Sequence, residues 1–488
     1  MQSVKLKGFA PDLDPLTPGI FASCENIIPT IRGFAPLESP ASVAPALPRA
    51  CKGAFFARLI DGTSRFIAGT RDRLYVYRNG VLDPSMGGQD LSKSTLPWRF
   101  TQFGDWTIAC NGVDPVQVLK KAADEFVPLA GNPLKATIVE ATNYFVFAFA
   151  RWGQRHEWAC SGIGNAEHWT PDLSSQATSG YLTATPGPIL AARKIGDGIA
   201  VYKLRGTYLG QYVGPPVNWA FQLISPQAGA VSQEALVVCE DGHYFVGETE
   251  FYAFDGGGPP RPIPCPLRDW FFLTELDPDY RGNIAGWWDH ERDIIFWHYP
   301  PLGASGNLTR WIAWNRRSNS WTQGSMNVEA VARIEIPNPV GPTYDELGNF
   351  ISTFGQAGNR SYEDEDITGK VDLANAVFLN DHALYALTGT PTISSFTTSD
   401  LGDAQNYYMV RRLRPQFAKW PTDPVTVQMF RKEKLGAELR TGLSSLLDFK
   451  SGWVNVRQSA RLHRAQFTFS GRYEIQSFDY DATPAGTR

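Results

Sequence analysis

The stretch QEALVVCEDGHYFVGETEFYAFDGG, residues 233–257, decides the fold. An apolar run from Leu236 to Cys239 meets an Asp-Gly turn and a second run, Tyr244 to Val246. A third alternating run then ends in Asp255-Gly256. Two-residue Asp-Gly turns between alternating apolar runs mark antiparallel hairpins, so this is most of a β-meander. Outward from it, HERDIIFWHYPPL (290–302) supplies a continuous apolar strand. RWIAWNRRSNSWTQG (310–324) supplies strand, polar turn, strand, with Trp314 and Trp321 flanking the turn. Short antiparallel strands, polar hairpins and an aromatic recurring near a turn are the pattern of a β-propeller blade.

The rhythm extends along the chain. Strand-like runs begin near Phe66, Thr107, Phe145, Ile199, Tyr244 and Ile294, and GNFISTFG at Gly348 is a candidate further member. Successive starts lie roughly 40 to 50 residues apart, the period of propeller repeats, and six or seven blades follow. Sandwich domains in series would need a fresh linker every hundred residues or so, and none is evident.

Composition agrees. Aromatic residues at 13%, with 45 Gly and 35 Pro, favour many strands joined by tight turns. At 488 residues the chain exceeds one ordinary core, so more than one domain is expected. The fold class expected is mainly β: a propeller at 51–380, an extended N-terminal arm at 1–50, and a C-terminal antiparallel β-sandwich or barrel at 381–488. The arm is rich in Pro and Ala, with apolar islands such as CENIIPTIRGF (24–34). Such a composition suits a segment packed on other elements more than a separate domain, and a disordered tail is its bland alternative.

Formal net charge is −4, which gives no reason to expect a general nucleic-acid binder. It is unevenly spread: residues 401–488 hold 14 Lys and Arg against 8 Asp and Glu, a surplus of six, which leaves −10 for the first 400 residues. Six scattered cysteines form no C-x-x-C pair, and read as buried thiols in a reducing compartment. The N-terminus has no apolar leader-like run, and no apolar stretch is long enough to span a bilayer, so neither classical export nor embedding is expected.

The search for chemistry yields no P-loop, no G-x-S-x-G and no H-E-x-x-H. The GGG at 256–258 runs into Pro259-Pro260, which cannot open a phosphate-cradling helix in the usual way. His156 and His168 lie twelve residues apart in an aromatic region and read as packing or hydrogen-bonding groups before metal ligands. The acidic run EDED at 363–366 lacks the spaced ligands of a calcium loop and reads as a solvated turn. The pair Asp289 and Glu291 suggests glycosidase carboxylates, but acids two apart are common on turns, and no S-x-D-x-G-x-x-W box recurs. No catalytic residue, metal or cofactor is expected.

Five further strand candidates close the chain: NYYMVRRLRPQF (406–417), VTVQMF (425–430), GWVNVR (452–457), RLHRAQFTFSG (461–471) and RYEIQSFDYD (472–481). At their beginnings cluster Arg411, Arg412, Arg414, Arg457, Arg461 and Arg464. The cluster reads either as a solubilising rim that protects a sheet edge, or as a docking surface for an acidic partner or nucleic acid.

The phrases GYLTATPGPILAARKIGDGIAVYKLRGTYLGQY (180–212), AGAVSQEALVVCEDGHYFVGETEFYAFDGGGPPRPIP (228–264), WDHERDIIFWHYP (288–300) and RWIAWNRRSNSWT (310–322) resemble the central repeats of tail tube and nozzle proteins of short-tailed bacteriophages. That group includes the tail hub or packaged-DNA stabilisation proteins. RRLRP (411–415) with VRQSARLHRAQFTFSG (456–471) is similar to their C-terminal β-domain, and CENIIPTIRGFAPL (24–37) to their N-terminal arms. The resemblance implies a structural virion protein without catalytic residues, made in the host bacterial cytoplasm. It implies a hexameric ring below the portal and adaptor, with a channel for DNA during ejection and attachment surfaces for fibres or spikes. DNA would pass without sequence-specific binding, which suits the acidic first 400 residues, because each phosphate contact adds salt-dependent grip. A propeller that binds or hydrolyses glycans is the alternative from another class; a scaffold for partner peptides is a third.

Overall fold

The computed structural model describes residues 2–78, 80–84, 88, 91–92, 94–123, 125–151, 153–337, 371–403 and 405–486. The run at Gly348 and the acidic run at 363–366 lie outside them.

Five four-stranded antiparallel sheets follow one another in chain order: blade 1 (54–83), blade 2 (99–128), blade 3 (136–181), blade 4 (189–225) and blade 5 (236–262). Blade 6 uses Ala285–Asp289, Ile294–Tyr299, Leu308–Asn315 and the start of the long strand Ser320–Pro337. That strand changes partner at a bulge, where Val328 faces both Leu308 and Leu379. Beyond the bulge it becomes the first strand of blade 7, followed by Val371–Leu379, Leu384–Gly389 and, last, Ser39–Ala44 from near the N-terminus. The seventh blade is thus closed by a strand from the other end of the chain, so early and late segments latch the ring by backbone hydrogen bonds.

The six periodic runs of the sequence fall on the second strand of blades 1 to 6. In blade 4, Gly198–Lys203 is buried at every position, and in blade 6 so is Ile294–Tyr299. A strand with neighbours on both edges and blades on both faces is apolar except where a buried partner is built in, as for Lys203 and His298, which is why it stands out. Trp314 and Trp321 sit opposite one another in register across their hairpin and stack at 5.7 Å, with Trp321 fully buried.

The remaining strands form a two-sheet sandwich. Sheet I orders Val454–Ala460, Tyr407–Lys419, Glu474–Gly486, Phe34–Pro36 and Ile27–Pro29, with Gln2–Lys5 also on Glu474–Gly486. Sheet II orders Gly8–Phe9, Ile20–Glu25, Ser394–Thr398, Leu462–Phe469, Thr426–Lys432 and Arg440–Leu446, with Leu401–Gly402 also on Leu462–Phe469. The five strand candidates near the C-terminus all occur; Arg440–Leu446 is an addition.

The domain limits expected at 50 and 380 therefore move. Residues 2–36 are not an arm but strands of the sandwich, and the 380 boundary falls in the hairpin joining two strands of blade 7. Ile20–Glu25 earns its place through Phe21, stacked on Phe396 at 4.5 Å, a partner 375 positions away that no local pattern announces.

One apolar core runs from the sandwich into blades 5 and 6, holding Phe9, Phe21 and Phe34 together with Trp297, Trp321 and Phe467. Gly8 shows how close the two parts approach. Its φ is +105°, and a Cβ there would lie 2.6 Å from the Trp321 carbonyl oxygen, so only glycine fits.

Candidate functional site

The first strands of the blades converge on an axial cavity of about 830 Å³. Several of the charges that line it are paired between blades. Arg99, on the first strand of blade 2, meets Glu234, just before blade 5, through Nε to Oε1 at 2.7 Å and Nη2 to Oε2 at 3.0 Å. The same guanidinium donates to the Thr137 carbonyl oxygen of blade 3 at 3.0 Å. Burial opposes the Glu234 charge, but Arg99 outweighs it and holds the carboxyl below its usual range.

Neighbouring blades are tied in the same way. Arg193 of blade 4 donates to Glu140 of blade 3 at 2.9 Å. Burial still raises the Glu140 carboxyl above its usual range, since Arg193 offsets only part of the desolvation. Gln233 bonds both backbone groups of Ala192, at 2.7 and 2.9 Å. Glu329 of blade 7 accepts from the Cys51 backbone N–H at 2.8 Å and lies 2.6 Å from His382 Nδ1. The Arg99–Glu234, Arg193–Glu140 and Gln233–Ala192 contacts hold the ring of sheets in angular register, because each ties blades that share no backbone ladder.

His243 and His298 are built into the core. His243 Nδ1 lies 2.7 Å from the Tyr202 hydroxyl and Nε2 lies 3.0 Å from the Lys194 carbonyl oxygen. His298 Nε2 accepts from Trp287 Nε1 at 3.2 Å. Burial lowers His243 to about 4 and His298 to about 3. His156 meets the buried Lys203 ammonium at 3.0 Å, and that ammonium also donates to the Leu182 and Thr185 carbonyl oxygens at 2.6 Å each. Burial lowers the Lys203 pKa. The His168 backbone carbonyl accepts from the Gly162 N–H at 2.7 Å. Among the described residues, no three His, Cys, Asp or Glu side chains group so as to hold a metal ion.

Asp289 is buried and shapes a turn: its Oδ1 accepts from the backbone N–H of Glu291 and of Arg292, at 3.1 and 3.2 Å. Glu291 is exposed. The two acids therefore part, one inward and one to solvent, which is not the facing arrangement of glycosidase carboxylates.

The six arginines of the sandwich separate into three situations. Arg412 lies 4.1 Å from the centroid of Trp453 and pairs with Asp481 at 3.2 Å, while Arg414 approaches the same ring at 5.6 Å. Arg461 lies over Tyr407 at 5.3 Å. Arg464 turns inward: its Nε lies 2.5 Å from Oδ1 of Asp400, a wholly buried carboxylate whose Oδ2 meets Lys432 Nζ at 2.5 Å. Arg411 and Arg457 are exposed. The structure thus brings Arg412 and Arg414 together on one tryptophan but spreads the six over both sheets. A single basic edge made of all six does not form.

Sequence reasoning missed the Arg99–Glu234 pair, whose members are 135 positions apart. It also missed the exposed leucines of Arg440–Leu446, whose uneven spacing hides a strand.

No protein-family model and no curated protein matches the chain. Among solved structures it is similar to BamB from Moraxella catarrhalis, at 9% identity over 79% of this chain and 96% of that one, with a TM-score of 0.40. It is also similar to the extracellular domain of a one-component system, BT4673, from B. thetaiotaomicron, at 9% identity and a TM-score of 0.43. That match covers 86% of this chain and 48% of the other. A third is BBS1N in complex with ARL6DN, at 10% identity over 79% of this chain and 97% of that one, with a TM-score of 0.38. At these identities and scores the likenesses say nothing of activity.

Proposed function

We propose that this β-propeller protein is a structural subunit of a short-tailed bacteriophage tail, the nozzle or hub that assembles as a six-fold ring below the portal and adaptor. The observation that carries this reading is the apolar core shared by sandwich and propeller, with Gly8 packed against the Trp321 backbone. Two β-modules fused in this way make a stiff body, which suits a part that bears load and offers surfaces. The blade edges present those surfaces to fibres or spikes, and the sandwich builds the ring.

The Arg99–Glu234 pair bears on where DNA passes. A bidentate ion pair spans the axial cavity of the propeller, and duplex DNA has a major groove that alone is about 12 Å wide. In this reading the conduit lies between subunits and not along the propeller axis. In this reading the protein performs no chemistry, binds no cofactor, and belongs to the virion after synthesis in the host cytoplasm.

Negative-stain microscopy with sedimentation analysis tests the proposal. A stable six-fold ring is expected. A monomer that turns over a glycan, with the turnover lost on changing one carboxylate, overturns it in favour of the hydrolase alternative.

A further inference from the structure

We infer that the two opposite edges of sheet II carry complementary docking surfaces, and that the occupant of each is a second copy of this chain, bound head to tail. The inference rests on the ring reading above and gives it a contact.

At one edge, Arg440–Leu446 exposes Leu443 at 59% and Leu446 at 63%, with exposed Leu435, Leu439 and Phe449 in the flanking turns. Interspersed are exposed Arg431, Lys434, Arg440, Lys450 and Arg457, against Glu433, Glu438 and Asp448. Five large apolar side chains exposed along one edge strand and its turns, interspersed with charge, are the composition of a protein contact.

Five strand spacings away, about 24 Å at ~4.8 Å per strand, the sheet ends at Gly8–Phe9, which is itself buried against blade 6, so the free surface at this end is the corner beside it. The loop that follows it is fastened to the helical segment between blades 5 and 6. The Asp12 carboxylate accepts from the backbone N–H groups of Asp269 and Trp270 at 2.7 and 2.9 Å, and Phe9 meets Trp270 edge-on at 4.9 Å. This corner is also apolar, with Leu273 exposed at 75%, Leu302 at 59%, and Leu13 and Tyr280. Its balance is of the opposite sign: Asp12, Asp14, Asp269, Asp277 and Asp279 outnumber the Lys5, Lys7, Arg268 and Arg281 that lie beside them. Leu302 belongs to the same surface, since its N–H donates to the Glu275 carbonyl oxygen at 2.9 Å.

Charge decides the mode of association. A two-fold contact of the basic edge on itself would set like charges together, which is costly, whereas basic edge on acidic corner matches both charge and apolar area. Because the two surfaces are different and lie at opposite ends of one sheet, the contact is heterologous, and such contacts make a ring when the rotation between copies closes.

Charge exchange tests this in the full-length protein. Sedimentation velocity at tens of micromolar in about 0.1 M salt is expected to show assembled wild type. Lys434→Glu with Arg440→Glu, Asp269→Lys with Asp279→Lys, and Leu443→Asp with Leu446→Asp should each weaken assembly by about tenfold or more, with circular dichroism unchanged. All four charge changes in one chain should restore assembly. If wild type assembles and the variants assemble equally well, the pairing of these edges is wrong while the ring reading stands. If the charge variants dissociate but the combination is not restored, the two edges do not meet. If wild type remains monomeric, both the pairing and the ring reading fail. Unchanged assembly with lost binding of a labelled DNA duplex would assign the basic edge to nucleic acid, against the inference.

Discussion

Arg99 and Glu234 bridge the axial cavity from blade 2 to blade 5 by two parallel hydrogen bonds, linking sheets that are not neighbours in the ring. Removing the acid strands a mostly buried guanidinium. A fully buried pair broken in this way costs about 3–5 kcal/mol, and with Glu234 partly exposed about 2–4 kcal/mol is expected for Glu234→Ala. The shift of the urea unfolding midpoint measures it, and an unchanged midpoint would show that the blades are held without this cross-link.

The hairpin of blade 6 depends on its aromatic face. Trp321 stacks on Trp314 at 5.7 Å and on Trp297 at 6.1 Å, and its Nε1 donates to the Pro264 carbonyl oxygen at 3.3 Å. Trp321→Ala should cost about 3–5 kcal/mol, with Trp314→Ala toward the lower end because its edge reaches solvent. Equilibrium unfolding of the two variants checks both the size and the order.

The sandwich arginines should differ in consequence although they look alike in sequence. Arg464→Ser leaves Asp400 with Lys432 alone in a buried site and should destabilise by about 2–4 kcal/mol. Arg411→Ser and Arg457→Ser, at exposed positions, should change stability by less than about 0.5 kcal/mol. A thermal melt of each single variant distinguishes them, and equal effects would contradict the inward placement of Arg464.

Acid should weaken the fold through its buried histidines. His243 and His298 stay neutral in the folded protein down to about 4 and about 3, whereas an unfolded histidine takes its proton near 6.5. Below that value the unfolded state binds more protons. The stability they provide is thus complete above about pH 6.5 and falls toward their folded values, by up to about 2 kcal/mol each at pH 5. Urea titrations from pH 7.5 to 5 should show this fall. The double variant His243→Gln with His298→Gln should lose about two protons of the dependence.

Much of the propeller was legible because its second strands are sandwiched on all sides and so spell continuous apolar runs, IAVYK and IIFWHY among them. Outer strands such as Val127–Pro128 and Arg261–Pro262 are two exposed residues long and leave no signature. The fate of the N-terminal segment was hidden because its partners are remote: Gln2–Lys5 pairs with residues near 480, and Ser39–Ala44 with residues near 386. Alternation in RLHRAQFTFSG sets Phe467 and Phe469 on one face, and both are buried. It could not show that Arg464, between them and the strand start, turns toward Asp400, because that partner lies 64 positions earlier.

The strand Ser39–Ala44 is the last of blade 7, yet it leaves the ribosome before any blade is made. For most of synthesis it has no sheet to join, and residues 2–36 likewise wait for sheets completed only by the final hundred residues. Blades 1 to 5, each contiguous in sequence, can form as they emerge. Ring closure cannot begin until Leu384–Gly389 has been made, and the sandwich needs Ser394–Thr398 and the strands after it. A chain broken off before these residues thus lacks the latch of its propeller and the whole of one edge of sheet II, so it could not present both surfaces to a neighbour.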